Sequence, residues 1–204
     1  MSARRNIPLG FTDVEAQEGM HICYIYADED ERREVVSKFL ESGLRAREKV
    51  LCLLDTPGNL ELLDRLADLG VPDSALTVMD AARGYCPSGQ FRTEQTLDLV
   101  RAFYDAAVHE EGYAGARGTG QMAWCLDPAL ASTRDVIEYE SRVNLMLAEH
   151  PYTACCQYDA RRFSGQMIMD VLSIHPMMII RGQIVKNPFY IEPDVFLKEF
   201  RARA

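Results

Sequence analysis

The residues best placed to do chemistry lie where the first apolar strand meets a helix, in Tyr24-Ile-Tyr-Ala-Asp-Glu-Asp-Glu-Arg-Arg33. In many α/β proteins this junction cradles a phosphate, and the pattern G-x-x-x-x-G-K-[ST] supplies the backbone N–H groups and lysine for it. Here four consecutive carboxylates, Asp28 to Glu31, stand at the helix start instead. They oppose the partial positive charge of the helix N-terminus, and Asp28 with Glu31 has capping-box spacing. The same carboxylates repel a triphosphate. Neither ATP nor magnesium is expected at the first loop, and no other cofactor is expected.

Further candidates follow along the chain. Tyr24 and Tyr26 approach the carboxyl end of the first strand, where open α/β sheets place ligands. They suit an apolar molecule with one polar anchor, or equally a hydrogen-bonded core. Arg117 has the fork geometry for a carboxylate or phosphate, and an ordinary ion pair is the alternative. Trp124, the only tryptophan, and Tyr85, in a Gly- and Pro-containing segment, are further candidate pocket walls. Glu140 and Asn144 share a helix face at i and i+4, and a buried Glu140 needs a partner, for which Arg117 is the expectation. Tyr158 and Asp159 end a strand and are expected in the same crevice as Tyr26. His175 precedes Pro176, which breaks the helix there and makes the imidazole a cap, a ligand or a base. Asp127 superficially suits a Walker-B metal ligand but has no phosphate loop to serve.

Alternating segments must position these groups. His21–Tyr26, Lys49–Asp55, Ala75–Asp80 and Tyr152–Tyr158 read as buried strands, with Ala116–Leu126 a Gly-rich approach to another. Helical spacing of Val35, Val36, Phe39, Leu40 and Leu44 predicts a helix after the first strand, and Leu60, Leu63, Leu66 and Ala67 predict a second. Further helices are predicted over Thr93–Glu111, Ser132–His150, Ser164–Ile174 and Asp194–Arg201. Ala81–Phe91 reads as an irregular loop, and Met177–Val185 as an antiparallel hairpin turning at Arg181-Gly182. The order implies one three-layer α/β domain over residues 19–204, with a mainly parallel sheet, helices on both faces and an antiparallel C-terminal edge. Residues 1–18 read as a polar lead-in.

Composition removes several function classes. A 204-residue chain with net charge −9 lacks the basic footprint of a nucleic-acid binder. No apolar run approaches the ~20 residues of a membrane span, and the N-terminus shows no signal core, so a cytoplasmic protein is expected. Six cysteines without C-x-x-C spacing read as reduced, buried thiols, with a metal or redox site assembled from separate strands as the alternative. Cys155 and Cys156 point to opposite faces of a strand and so do not share a metal.

Six blocks in order resemble a known family. They are the H-I-C-x-x-Y strand with its acidic helix start, R-x-x-G-x-M-x-W at Arg117 to Trp124, Tyr139-Glu140 with Asn144, Cys156-Gln-Tyr-Asp159, His175-Pro176 and Asn187-Pro-Phe-Tyr190. Together they resemble the MEDS domain, the methanogen/methylotroph dichloromethane-regulator sensory domain. The resemblance implies a RecA- or KaiC-like fold without the nucleotide loop. It also implies a signalling role and a small organic ligand, such as a C1 or hydrocarbon-derived compound. The resemblance implies that members are often fused to DNA-binding or histidine-kinase modules; no such module is attached here, which tells against direct transcriptional control. The partners expected are a signalling protein such as a histidine kinase or transcription regulator, and a second copy of the chain. The family block G-E-M-x-W reads Gly120-Gln121-Met122-Ala123-Trp124 here, without the carboxylate. The leading expectation is therefore a non-enzymatic sensor. A ligand-free interaction module is the first rival, and a residual nucleotidase or thiol enzyme using Cys156 or His175 is the second.

Overall fold

A computed structural model describes residues 4–55, 64 and 69–202. The predicted helix around Leu60 to Ala67 falls mostly outside them. Seven strands form the main sheet in the order β5-β4-β6-β7-β3-β8-β9. These are β3 (His21–Tyr26), β4 (Glu48–Leu54), β5 (Leu76–Asp80), β6 (Gly115–Gln121), β7 (Thr153–Asp159), β8 (Met177–Ile180) and β9 (Gln183–Lys186). Every pairing is parallel except β8 with β9. That antiparallel pair turns through Arg181 and Gly182, both at positive φ, as a two-residue hairpin requires.

Two cores follow from the period-2 alternation of the strands. On one face Ile22, Tyr24 and Tyr26 of β3 join Val50, Cys52 and Leu54 of β4 beneath α1 (Glu29–Arg45). On the other, Cys23, Leu53, Cys156 and Tyr158 meet α3 (Thr93–Asp105) and α4 (Thr133–Glu149). Further helices are α2 (Ala81–Tyr85), α5 (Gly165–Ile174) and α6 (Pro193–Ala202). The first part of the stretch expected as irregular, 81–85, is thus α2, capped by Asp80, whose side chain accepts from Arg83 N, and 86–91 is irregular.

Two further boundaries differ from the sequence reading. The Gly-rich approach is itself strand β6, and Trp124 lies beyond it in a 3-10 turn, Ala123–Leu126. The stretch before residue 19 is more than a polar lead-in. It forms a small hairpin of β1 (Asn6–Ile7) and β2 (Ala16–Gln17), and Ile7 and Leu9 are buried. No described helix is long and apolar enough to cross a membrane.

Candidate functional site

The first junction is sealed by its own side chains. Asp28 Oδ1 accepts from the backbone N–H groups of Asp30 and Glu31 at 2.9 and 2.8 Å, so the helix N-terminus is already capped. Glu31 does not reach back to close a capping box. It accepts instead from the Tyr24 hydroxyl at 3.2 Å. Tyr26 lies under the Arg32 guanidinium, which also donates to Glu29 and to Gln157 Oε1. Both candidate tyrosines of β3 are thus committed to the α1 face.

Arg117 is not the partner of Glu140. It points to the α1 face, where its Nε meets Glu48, its Nη1 donates to Phe39 O and Ser42 Oγ, and its Nη2 donates to Pro8 O. The reason is strand parity. On β6, odd-numbered Arg117 faces α1 and even-numbered Gly118 and Gly120 face α4, the helix that carries Glu140. Asp159 ends β7, is largely buried, and is clamped by Arg161 Nε and Nη2 at 2.7 and 2.8 Å. The hydrogen bonds from Arg161 hold its carboxyl below the usual range.

The remaining candidates converge beneath the α4 face. Glu140 is fully buried, and its Oε2 lies 3.2 Å from His21 Nε2 and 3.1 Å from His175 Nε2. The Tyr158 hydroxyl donates to the same oxygen at 3.2 Å. Cys156 Sγ is 3.6 Å from His21 Nε2. The donor atoms of His21, Glu140, Cys156 and His175 all lie within 4.8 Å of one another, and all four residues are buried. Burial alone raises the Glu140 carboxyl, but the two imidazoles outweigh it and hold the group well below the carboxylate range. Burial, then His175, pushes His21 down to about 4. Burial, then Glu140, pushes the Cys156 thiol well above its ordinary value.

Sequence reasoning found Glu140, Tyr158 and His175 but not His21, which sits at the start of β3. The available signal was a histidine opening an otherwise apolar strand. In a parallel sheet its side chain shares a face with that of Cys156, diagonally across from it, because Cys23 pairs with Cys156.

Beside this cluster is an apolar cavity of about 260 Å³ between β4-β6-β7 and helices α2, α3 and α4. Its walls include Leu53, Tyr85, Phe103, Tyr139, Tyr152 and Cys156, and it opens past exposed Met79 and Leu99. Gly118 and Gly120 floor it. A Cβ on either would collide with the hydroxyl of Tyr152 or Tyr85, at 1.7 and 2.1 Å. Among the described residues the hydroxyls of Tyr85, Tyr139 and Tyr152 have no hydrogen-bond partner, although all three side chains are buried. Trp124 stacks on Tyr85 at 4.7 Å from behind. The expected crevice at the strand carboxyl ends is a separate depression holding Tyr26, Glu31 and Phe189.

A parallel sheet of this order, sandwiched by helices and entered through a capped helix in place of a phosphate loop, defines a RecA-like α/β domain. A KaiC-like protein from Pyrococcus horikoshii OT3 superposes with a TM-score of 0.59 at 14% identity, covering 86% of this chain and 80% of that one. The flagellar accessory protein FlaH of Methanocaldococcus jannaschii gives 0.53 at 12%, covering 82% and 75%. At such identities the likeness is one of fold.

Residues 20–176 match the family described as MEDS, methanogen/methylotroph, DcmR sensory domain, and the chain belongs to that family of sensory domains. The transcriptional repressor DcmR of Methylorubrum extorquens is 30% identical over 158 residues, which is 76% of this chain. The aligned region spans 57% of the repressor's length. Family and relative together give the chain a regulatory, sensory role.

Proposed function

We propose that the chain is a non-enzymatic sensor that admits a small, largely apolar organic molecule into the cavity under α3 and α4. Its occupancy would be reported to a regulatory partner, such as a histidine kinase or transcription regulator, or to a second copy of the chain. One observation carries the reading: an apolar cavity of about 260 Å³ into which three tyrosine hydroxyls bring unused hydrogen-bonding capacity. Ligand sites have this character, apolar walls with a few convergent polar groups. An empty cavity of roughly 150 Å³ already accepts benzene. The volume therefore favours a cyclic or short-chain hydrocarbon derivative with one hydrogen-bonding atom over a single C1 molecule. Against an enzyme, the thiols on the wall are Cys155 and Cys156, and burial raises both above the ordinary thiol value, away from the nucleophilic thiolate.

Trp124 supplies the test, because a ligand that displaces Tyr85 changes the environment of the one indole in the chain. Emission and melting temperature are followed during titration with dichloromethane, methanol, cyclohexanol and toluene. A saturable emission change with at least one compound, weakened by Val143→Phe on the cavity wall, is expected. Flat titrations with all four, together with an unchanged melting temperature, overturn the reading.

A further inference from the structure

The cluster beneath α4 has a feature that the cavity does not explain. Asn144 Nδ2 donates to Ile174 O at 2.8 Å and to Ser141 O at 3.3 Å, which turns its Oδ1 toward His21 Nδ1, 3.3 Å away. That ring nitrogen therefore carries a hydrogen. His175 Nδ1 faces Val171 O at 2.8 Å, and a carbonyl only accepts, so this nitrogen carries a hydrogen too. An imidazole held in this way by its Nδ1–H points Nε2 inward, toward the Glu140 carboxylate at both rings and, at His21, also toward the Cys156 sulfur. His175 Nε2 and Glu140 Oε1 have no hydrogen-bond partner among the described residues, although both are buried.

We propose that His21, Glu140, Cys156 and His175 form a metal site for a divalent transition ion of the zinc type. Metal-bound histidines characteristically donate their other ring N–H to a carbonyl or carboxylate, which is the arrangement at both rings here. The spacing agrees. Bonds of about 2.0–2.3 Å in a tetrahedron put donor atoms about 3.3–3.6 Å apart. Here Glu140 Oε2 lies 3.1 Å and 3.2 Å from the two nitrogens and Cys156 Sγ 3.6 Å from His21 Nε2, with all four donor atoms inside 4.8 Å, a spread that modest side-chain shifts close around an ion. Two nitrogens, one sulfur and one oxygen suit a borderline ion such as Zn²⁺ better than Mg²⁺ or Ca²⁺. Binding converts the Cys156 thiol to a thiolate and releases its proton to solvent, and the ion supplies the positive charge that the buried carboxylate faces.

Four protein donors make a closed site, which fits a structural or coupling role and not hydrolysis. Cys156 is also a wall residue of the cavity, and Tyr139 of the cavity precedes Glu140 of the site on α4. The ion would thus tie β3, β7, α4 and the C-terminal end of α5 together directly behind the ligand.

The test loads EDTA-treated full chain with Co²⁺ and needs no organic ligand, so it is independent of the fluorescence titration. One equivalent of Co²⁺ retained through desalting is expected, with the intense visible bands of four-coordination and a near-ultraviolet sulfur-to-cobalt charge-transfer band. Cys156→Ser should lose the sulfur band while its melting temperature and circular dichroism show an intact fold. Asn144→Ala should keep that band and bind about 10–100-fold more weakly, because it frees the His21 ring without removing a donor. Failure of the folded wild-type chain to retain Co²⁺ or Zn²⁺ overturns the proposal. So does a sulfur band that survives Cys156→Ser.

Discussion

Gly120 and the Tyr85 hydroxyl occupy the same space: a Cβ built on this glycine falls 2.1 Å from the phenol oxygen. Tyr85 can lie across β6 only because that strand has no side chain there, and Trp124 then stacks on the ring from the other side. Gly120→Ala must push Tyr85 into the cavity or out of its stack. Overpacking of this kind costs about 1–3 kcal/mol. A lowered urea midpoint is expected, along with altered Trp124 emission in the absence of any ligand. Normal stability with unchanged emission would show that the ring has other places to go.

Arg117 and Glu48 form the second prediction. Both are essentially unexposed, and the pair holds β6 to β4 while the rest of the guanidinium caps carbonyls of Phe39 and Pro8. Arg117→Met leaves Glu48 buried with Arg5 as its remaining cation, 3.1 Å away. Removing one member of a buried pair costs about 3–5 kcal/mol, and Arg5 should keep the loss near the lower end. The double change Glu48→Met with Arg117→Met removes both charges and should be the more stable of the two variants. Urea unfolding of the two proteins checks the order, and a single variant as stable as the double would contradict it.

The same arginine shows what the sequence conveys and what it does not. Continuous apolar runs such as His21–Tyr26 are recognisable as strands because both faces are covered, and the Arg181-Gly182 hairpin is recognisable because its turn needs two positive φ values. Strand β6 is not, because its inward positions are Gly118 and Gly120 and carry no hydrophobic signal. Without β6 in register, the parity that separates Arg117 from Glu140 is invisible, and helix spacing alone suggests an ion pair that the sheet in fact keeps apart. Glu140 with Asn144 was accessible from helical spacing alone. Cys156 lies 135 positions from His21, and only the strand order β7-β3 brings them together.

At the first junction, Mg²⁺–ATP should leave both the melting temperature and the calorimetric baseline unchanged. Only Ala27 and Asp28 separate β3 from α1, and Asp28 already occupies the N–H groups a phosphate would need. Asp28→Ala should cost about 1 kcal/mol through the lost cap and still not create nucleotide affinity, because Glu29, Asp30 and Glu31 remain. A saturable ATP isotherm in either protein would restore the nucleotidase rival.

The buried thiols make the stability of the fold depend on pH. Burial pushes both Cys52 and Cys125 up to about 12 from 9.0, and in the unfolded chain each returns to its ordinary value. A thiol raised in the folded state stabilises fully below the unfolded pKa, and that contribution is lost as pH rises from about 9 toward 12. In this window the unfolded chain holds fewer protons than the folded one, so stability falls with increasing pH. Urea midpoints should be level through the neutral range and decline above about pH 9, with Cys52→Ala showing a shallower decline. All six cysteines are buried, so a native thiol titration at pH 8 should proceed slowly, and a guanidinium-unfolded sample should give all six at once. A thiol that reacts rapidly in the native protein would mark a path from solvent into the core. If the fast residue were Cys156, that path would be the cavity itself.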